Sequence, residues 1–335
     1  VIEISVVIPT CNRKERLISL LHNLERSTFP LKEVIIVDSG EDRLSEMECS
    51  SFQNLDITYV SSKKSVCKQR NKGIAIAKSE WIFVCDDDIE VPANYIEKLV
   101  SHIDSPQKSV CVSGLFLQKD KGEWIAKYNI TSGKTLLWNY IFNLSLWGEI
   151  NCKDNILTKG VKQYYKQKHN HISKAGWPVI TDFSGEYFVT PLYSLGASLV
   201  KKTWLINSAF DEVLDRHGIG DHYGVIAGFP LHEVHVLNTA FVYHHHEEAN
   251  RLQNTVQYYR RVLALDYFRR IKKQPGHVKK IWLLWSLCGN LLAFISRLNG
   301  NMIIASLKLL FVIGFNKNPY FIAAKNHRKV QEPVV

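Results

Sequence analysis

The chain has 335 residues, 46% of them apolar, which excludes a disordered chain and allows one large or two modest domains with a sizeable core. Its 42 Lys and Arg against 32 Asp and Glu leave a net charge of +10, which favours an anionic partner: phosphates, nucleic acid or lipid headgroups. Seven scattered cysteines, odd in number and without the close pairs of zinc or redox sites, fit a reducing cytoplasm. Val1 leads directly into a strand-like run instead of a basic and apolar leader, so a secreted protein is not expected.

In chain order, Ile4 to Ile8 is a β-branched run stopped by Pro9, followed by Leu17, Ile18, Leu20, Leu21 and Leu24 at helical spacing. Val34 to Val37 predicts a second strand ending in the turn-forming cluster Asp38-Ser39-Gly40, and Ile57 to Val60 a third. Helical spacing returns from Val66 to Ala77. Trp81 to Val84 reads as a buried strand, with Asp86-Asp87-Asp88 beyond it and a helix from about Ala93 to His102. Alternating strands and helices predict a mostly parallel α/β sheet, whose strand ends bring Thr10, Asp38 and Asp86 to one edge.

From about Gly122 to Gly176 the periodicity is weak, and mixed strands and loops are expected. Patterning resumes near Ser194 and reaches a strand from Val234 to Tyr243 that closes on His244-His245-His246. This places a main domain at 1–246, with halves of about 1–118 and 119–246, and a helical region at 247–335. That region opens with a basic helix carrying Arg260, Arg261, Arg269, Arg270, Lys272 and Lys273. Two apolar stretches follow, Ile281 to Ile295 and Met302 to Phe315, both shorter than a usual membrane span of ~20 residues. They read as packed helices of a lobe, as helices lying in a membrane interface, or as a short hairpin across it.

Three adjacent carboxylates at a strand end repel one another unless a cation or strong donors compensate them. Mg²⁺ or Mn²⁺, held by one or two carboxylates and completed by waters and phosphate oxygens, would do so; a solvated acidic turn is the plainer alternative. Four segments decide between these. They are Val6 to Arg13, Val34 to Gly40, Arg70 to Ile74, and Phe83 to Asp88, and in order and spacing they resemble glycosyltransferase family 2, inverting enzymes of the GT-A fold, across roughly residues 4–246.

The resemblance implies a Rossmann-like GT-A domain with a C-terminal helical extension. It implies that Pro9, Thr10, Asn12 and Arg13 line a nucleotide pocket and that Asp38 accepts a hydrogen bond from a pyrimidine-type base. Arg70 and Asn71 would contact base, ribose or phosphates; Asp86 and Asp87 would serve the donor; Asp86, Asp88 and His244 would hold the metal. The family's catalytic base follows a Gly within an acidic pair, which matches Asp221 in His217-Gly218-Ile219-Gly220-Asp221-His222, although Gly220 stands where the acidic neighbour is usual. Gly196-Ala197-Ser198 matches a small-residue segment beside the acceptor.

The function expected is metal-dependent inverting transfer from a UDP- or dTDP-sugar to a hydroxyl of a glycan or lipid-linked glycan in bacterial surface-polysaccharide synthesis, on the inner face of the cell membrane. A non-catalytic sugar-nucleotide or glycan binder that keeps the fold is the rival. No glycine fingerprint follows the first strand, which argues against a nicotinamide enzyme, and no nucleic-acid module appears.

Overall fold

The computed structural model describes residues 2–105, 109–231, 233–245, 252–272 and 278–335; His246 and Lys273 lie outside them. The first half alternates β1 (Ile4–Thr10), α1 (Lys14–Glu25), β2 (Glu33–Asp38), α2 (Glu46–Ser50), β3 (Ile57–Ser61), α3 (Val66–Ile76) and β4 (Trp81–Cys85). The two-residue β5 (Ile89–Glu90), α4 (Tyr95–Ile103) and β6 (Cys111–Asp120) complete it. Every residue of β1, β2 and β4 is buried, as a parallel sheet covered on both faces requires. Helix α1 buries Leu17, Leu20, Leu21 and Leu24, the i, i+3, i+4, i+7 stripe that its sequence predicts.

Strands β1 to β4 pair in parallel in the order β3-β2-β1-β4. The sheet then continues through β13 (Ala197–Lys201), β6 and β14 (Val234–His244) to the edge strand β12 (Tyr187–Thr190). Strand β13 runs antiparallel to both its neighbours, whereas β14 and β6 run parallel. The result is a mixed α/β fold around a mostly parallel central sheet.

The middle segment is more regular than its sequence suggests. It holds β7 (Glu123–Ile125), β8 (Tyr128–Ile130), α5 (Gly133–Ile141), β9 (Leu146–Ile150), α6 (Ile156–Lys168), β10 (His171–Ile172) and β11 (Pro178–Ile180). Strands β8 to β11 form a second, four-stranded sheet over a small core of Leu136, Leu146, Val161, Tyr165 and Val179. Helices α5 and α6 escape sequence reading because their apolar stripes are broken: Ile156 and Leu157, the first residues of α6, are 93% and 66% exposed.

Short helices α7 (Lys202–Asn207) and α8 (Asp221–Ile226) flank β13 and β14, and α9 (Asn254–Ile271), α10 (Lys280–Ser296), α11 (Gly300–Gly314) and α12 (Pro319–Lys325) end the chain. The main apolar core runs without a break from Ile4 to Ala323, so these last helices share it. Beyond α12 the chain returns as a strap. The N–H groups of Val330 and Gln331 donate to the carbonyls of Glu212 and Val213, and Glu332 pairs with Arg260 at 2.6 Å and with Arg216 at 3.3 Å.

Candidate active site

The site begins where β1, β2 and β4 end side by side. Helix α3 is laid against β1 and β2 through Gly73, where a Cβ would stand 2.5 Å from Val7 Cγ1. That close approach points two polar residues of α3 inward. Gln69 Nε2 donates to the carbonyls of Thr10 and Val37, both at 2.7 Å, stitching the two strand ends together. Arg70, 4% exposed, lies over the Phe210 ring and reaches carboxylates on both sides: Nη2 to Asp86 and Nη1 to Asp221.

The three adjacent aspartates have three different environments. Asp86 sits against Gly196, whose Cβ, if it had one, would fall 2.0 Å from Asp86 Oδ2; the backbone N–H of Asp86 donates to the Gly196 carbonyl at 2.7 Å. A glycine is therefore required beside the carboxylate, which gives the small-residue segment 196–198 a physical reason. Asp87 turns inward and accepts from Thr10 Oγ1 at 2.7 Å and Arg13 Nη1 at 2.8 Å. Burial pushes its pKa up to about 6, with Arg13 pulling the other way. Asp88 accepts from Arg13 Nη1 at 3.1 Å and lies 3.4 Å from His244 Nε2. Burial would raise its pKa, but His244 and Arg13 outweigh it and hold the carboxyl below its ordinary value.

A cleft of about 210 Å³ opens over these groups, lined by Pro9, Thr10, Arg13, Arg70, Asp86, Asp87, Asp88 and His244 among the expected residues. Lys64, Arg216 and His217 also line it; Lys64 and Arg216 belong to no motif, and His217 opens the segment that leads to Asp221 with no role implied by the resemblance. Asn12, Asp38 and Asn71 are not among the residues lining this cleft. Asn12 has a positive φ of 53° and accepts from the Glu41 N–H at 2.7 Å, which pins the loop after β2. Asp38 is buried with Oδ1 on the Gly40 N–H at 2.6 Å and Oδ2 on the Tyr59 hydroxyl, so it closes its own turn. Asn71 exchanges hydrogen bonds with the Phe210 backbone at 2.8 and 3.0 Å and also reaches Glu212, stapling the segment that leads to Asp221.

Asp221 is 6% exposed and occupies the first position of α8, capped by Gly220 at φ 92°; glycine is needed there for its left-handed backbone. Asp221 Oδ1 accepts from the His222 N–H at 2.7 Å and Oδ2 from Arg70. It borders a second cavity of about 400 Å³ with Trp147, Trp177, Tyr193, Tyr223 and Arg261. Trp147 and Tyr193 stack at 5.4 Å, and both also line a passage that shares Asp86 and His244 with the first cleft. One guanidinium thus joins a cleft of cations and carboxylates to an aromatic cavity.

Among the described residues no cluster of three or more His, Cys, Asp and Glu is arranged to hold a metal ion by itself. Asp88 and His244 offer one oxygen and one nitrogen donor at the cleft, and Asp86, which also lines it, is held by Arg70. Hard divalent ions at nucleotide sites are usually held by one or two protein donors and completed by water and phosphate oxygens, and Asp88 with His244 would supply such a pair. His245 belongs to another contact, 3.2 Å from Glu90.

A model of the family described as Glycosyl transferase family 2 matches residues 5–172, half of the chain. The chain belongs to that family. Within family 2, its segments are similar to glycosyltransferase GlyG of Streptococcus pneumoniae serotype 4, 28% identical over 34% of this chain and 39% of that protein. They are also similar to WcaA of Escherichia coli K12, named for colanic acid biosynthesis, 28% identical over 30% of this chain and 34% of that one. The matched region spans little over a third of these relatives. Among solved structures, S. aureus TarS in complex with UDP-GlcNAc superposes with a TM-score of 0.55 at 14% identity, over 100% of this chain and 95% of that one. At that identity the likeness is one of fold, and it is the GT-A fold that this family 2 chain adopts.

Proposed function

We propose that this chain transfers a sugar from a nucleoside-diphosphate donor to a hydroxyl of a glycan or lipid-linked glycan, with inversion at the anomeric carbon. The observation that carries the reading is Arg70, bridging Asp86 at the donor cleft and Asp221 at the aromatic cavity. Arg13, Lys64, Arg70 and Arg216 supply positive charge where a diphosphate would lie. A divalent cation on Asp88, His244 and Asp86 would stabilise the charge that builds on the departing diphosphate. Asp221 takes the proton from the acceptor hydroxyl as it attacks from the opposite face. A carboxylate is a weak base for an alcohol, so that transfer is late, and positioning contributes the larger share of the rate. UDP is the first nucleotide to test, since TarS is seen with UDP-GlcNAc, and the name of WcaA supports a surface-polysaccharide acceptor.

The test is a panel of UDP- and dTDP-sugars with Mn²⁺ or Mg²⁺, read as diphosphate release by the full chain. Asp221→Asn is expected to lower transfer by about 100-fold or more, the usual share of a general base, while donor still binds. Binding without release under every condition would overturn the reading in favour of a sugar-nucleotide binder.

A second observation supports a membrane surface as partner. No single described helix is long and apolar enough to cross a membrane. Yet α10 leaves Ile281, Trp285, Leu292 and Ile295 exposed on one face, and α11 leaves Ile304, Leu307 and Phe311. Lys279, Lys280, Arg297, Lys308 and Lys317 flank them. Apolar faces with basic edges suit a helix pair lying in the headgroup region of an anionic leaflet, such as the inner face of a cell membrane. Sedimentation with anionic but not neutral vesicles, lost in Phe311→Asp, is the expected result; no binding to either would end this part of the proposal.

A further inference from the structure

Arg261 stands apart from the other arginines of α9. Arg260 pairs with Asp215 and Glu332, and Arg269 and Arg270 pair with Asp266. No carboxylate among the described residues pairs with Arg261, which is exposed and so open to a ligand. Its side chain instead borders the aromatic cavity that holds Asp221. The other charged group on that wall, Asp221, is already engaged by Arg70. A guanidinium without a carboxylate partner, placed beside an aromatic recess, can hold a bound anion through charge-assisted hydrogen bonds.

The cavity has the rest of a glycan subsite. Trp147 stacked on Tyr193, with Trp177 and Tyr223, presents aromatic faces, and about 400 Å³ is within the range of small-molecule sites. Trp177 is fixed from behind, its Nε1–H donating to Ser286 Oγ of α10 at 3.0 Å. The recess therefore has behind one wall the helix whose outer face carries Ile281 and Trp285.

The geometry points to an acceptor that is itself anionic: a sugar held on the aromatic wall beside Asp221, with a phosphate or carboxylate next to it bound by Arg261. The inference rests on the glycosyl-transfer reading of the two cavities and names the acceptor's chemical class. Two sources supply that chemistry, a phosphate linking the sugar to a lipid and a uronate within the glycan.

The full chain is first saturated with UDP, so that phosphate probes cannot enter the donor cleft. Quenching of tryptophan fluorescence then reports binding of hexyl glucoside, hexyl glucuronide and glucosyl hexyl phosphate. A charged probe is expected to bind about tenfold more tightly than the neutral one, the advantage of one charge-assisted hydrogen bond. Arg261→Gln should abolish that preference and Arg261→Lys should keep part of it, with the preference falling as salt rises. The tighter of the two charged probes identifies the source. Equal binding of all three probes, no binding of any, or a charge preference that survives Arg261→Gln overturns the inference. Failure to bind UDP would instead count against the donor-cleft reading, so the two are separable.

Discussion

Replacing Arg70 with methionine tests whether the charged cleft and the aromatic cavity are one electrostatic unit. Arg70 is almost wholly buried, its two partners Asp221 and Asp86 have side chains 8% and 25% exposed, and among the described residues no other Lys or Arg pairs with either, the His222 ring standing 3.7 Å from Asp221. Methionine fills much of the same space but leaves both carboxylates uncompensated. Removing one partner of a buried pair costs about 3–5 kcal/mol, and the value should fall in that range because Asp221 dominates and Asp86 is partly relieved by solvent. Loss of the contact over the Phe210 ring adds about 0.5–1 kcal/mol. Urea unfolding of the wild type, Arg70→Met, Asp221→Asn and the double variant gives the coupling directly. The double variant is expected to recover about half of the stability that Arg70→Met loses, since neutralising one carboxylate removes the larger unpaired charge. A cost below about 1 kcal/mol for Arg70→Met, or strict additivity, would refute the argument.

Two further perturbations follow from close contacts. Gly196→Ala drives a methyl group into the Asp86 carboxylate, and a displacement of about 1 Å at such a group costs on the order of 100-fold in turnover. Diphosphate release should fall by that factor while the urea midpoint moves little; normal release would show that Asp86 is not needed where it lies. His102 Nε2 and His235 Nδ1 stand 2.9 Å apart, and burial lowers the pKa of both below the ordinary histidine value. The unfolded chain therefore takes up protons near pH 6.5 that the folded chain does not, so stability holds above that pH and declines as pH falls through it. Urea midpoints between pH 7.5 and 5.5 should show the decline, and His235→Gln should flatten it.

The charged cleft could be placed from the sequence because it follows strand ends. β1, β2 and β4 are continuous buried runs, and their last residues place Thr10 and the aspartates before any tertiary detail is known. The finer roles could not be read that way. Asn12, Asp38 and Asn71 have the right chemistry for a nucleotide, yet they also bond to backbone and side chains of nearby loops, and that depends on loop geometry. The aromatic cavity escaped for a different reason. Trp147, Trp177, Tyr193, Tyr223 and Arg261 come from five separate segments and meet only after both sheets and α9 have packed. Asp221 is singled out by the resemblance of its glycine-flanked loop to the family's, whereas Arg70 as the bridge between two carboxylates shows only in three dimensions.

The hydrogen bond from Trp177 to Ser286 sets the wall of the aromatic cavity directly on α10. A helix with its side chains is about 10 Å across, so an acceptor sugar reaching that wall need rise no further than one helix diameter above whatever α10 lies on. With α10 and α11 resting on lipid, one substrate would arrive by diffusion in three dimensions and the other in two. Turnover would then follow the number of acceptor molecules per unit of membrane area, and diluting the acceptor with inert lipid would slow the enzyme at constant bulk concentration.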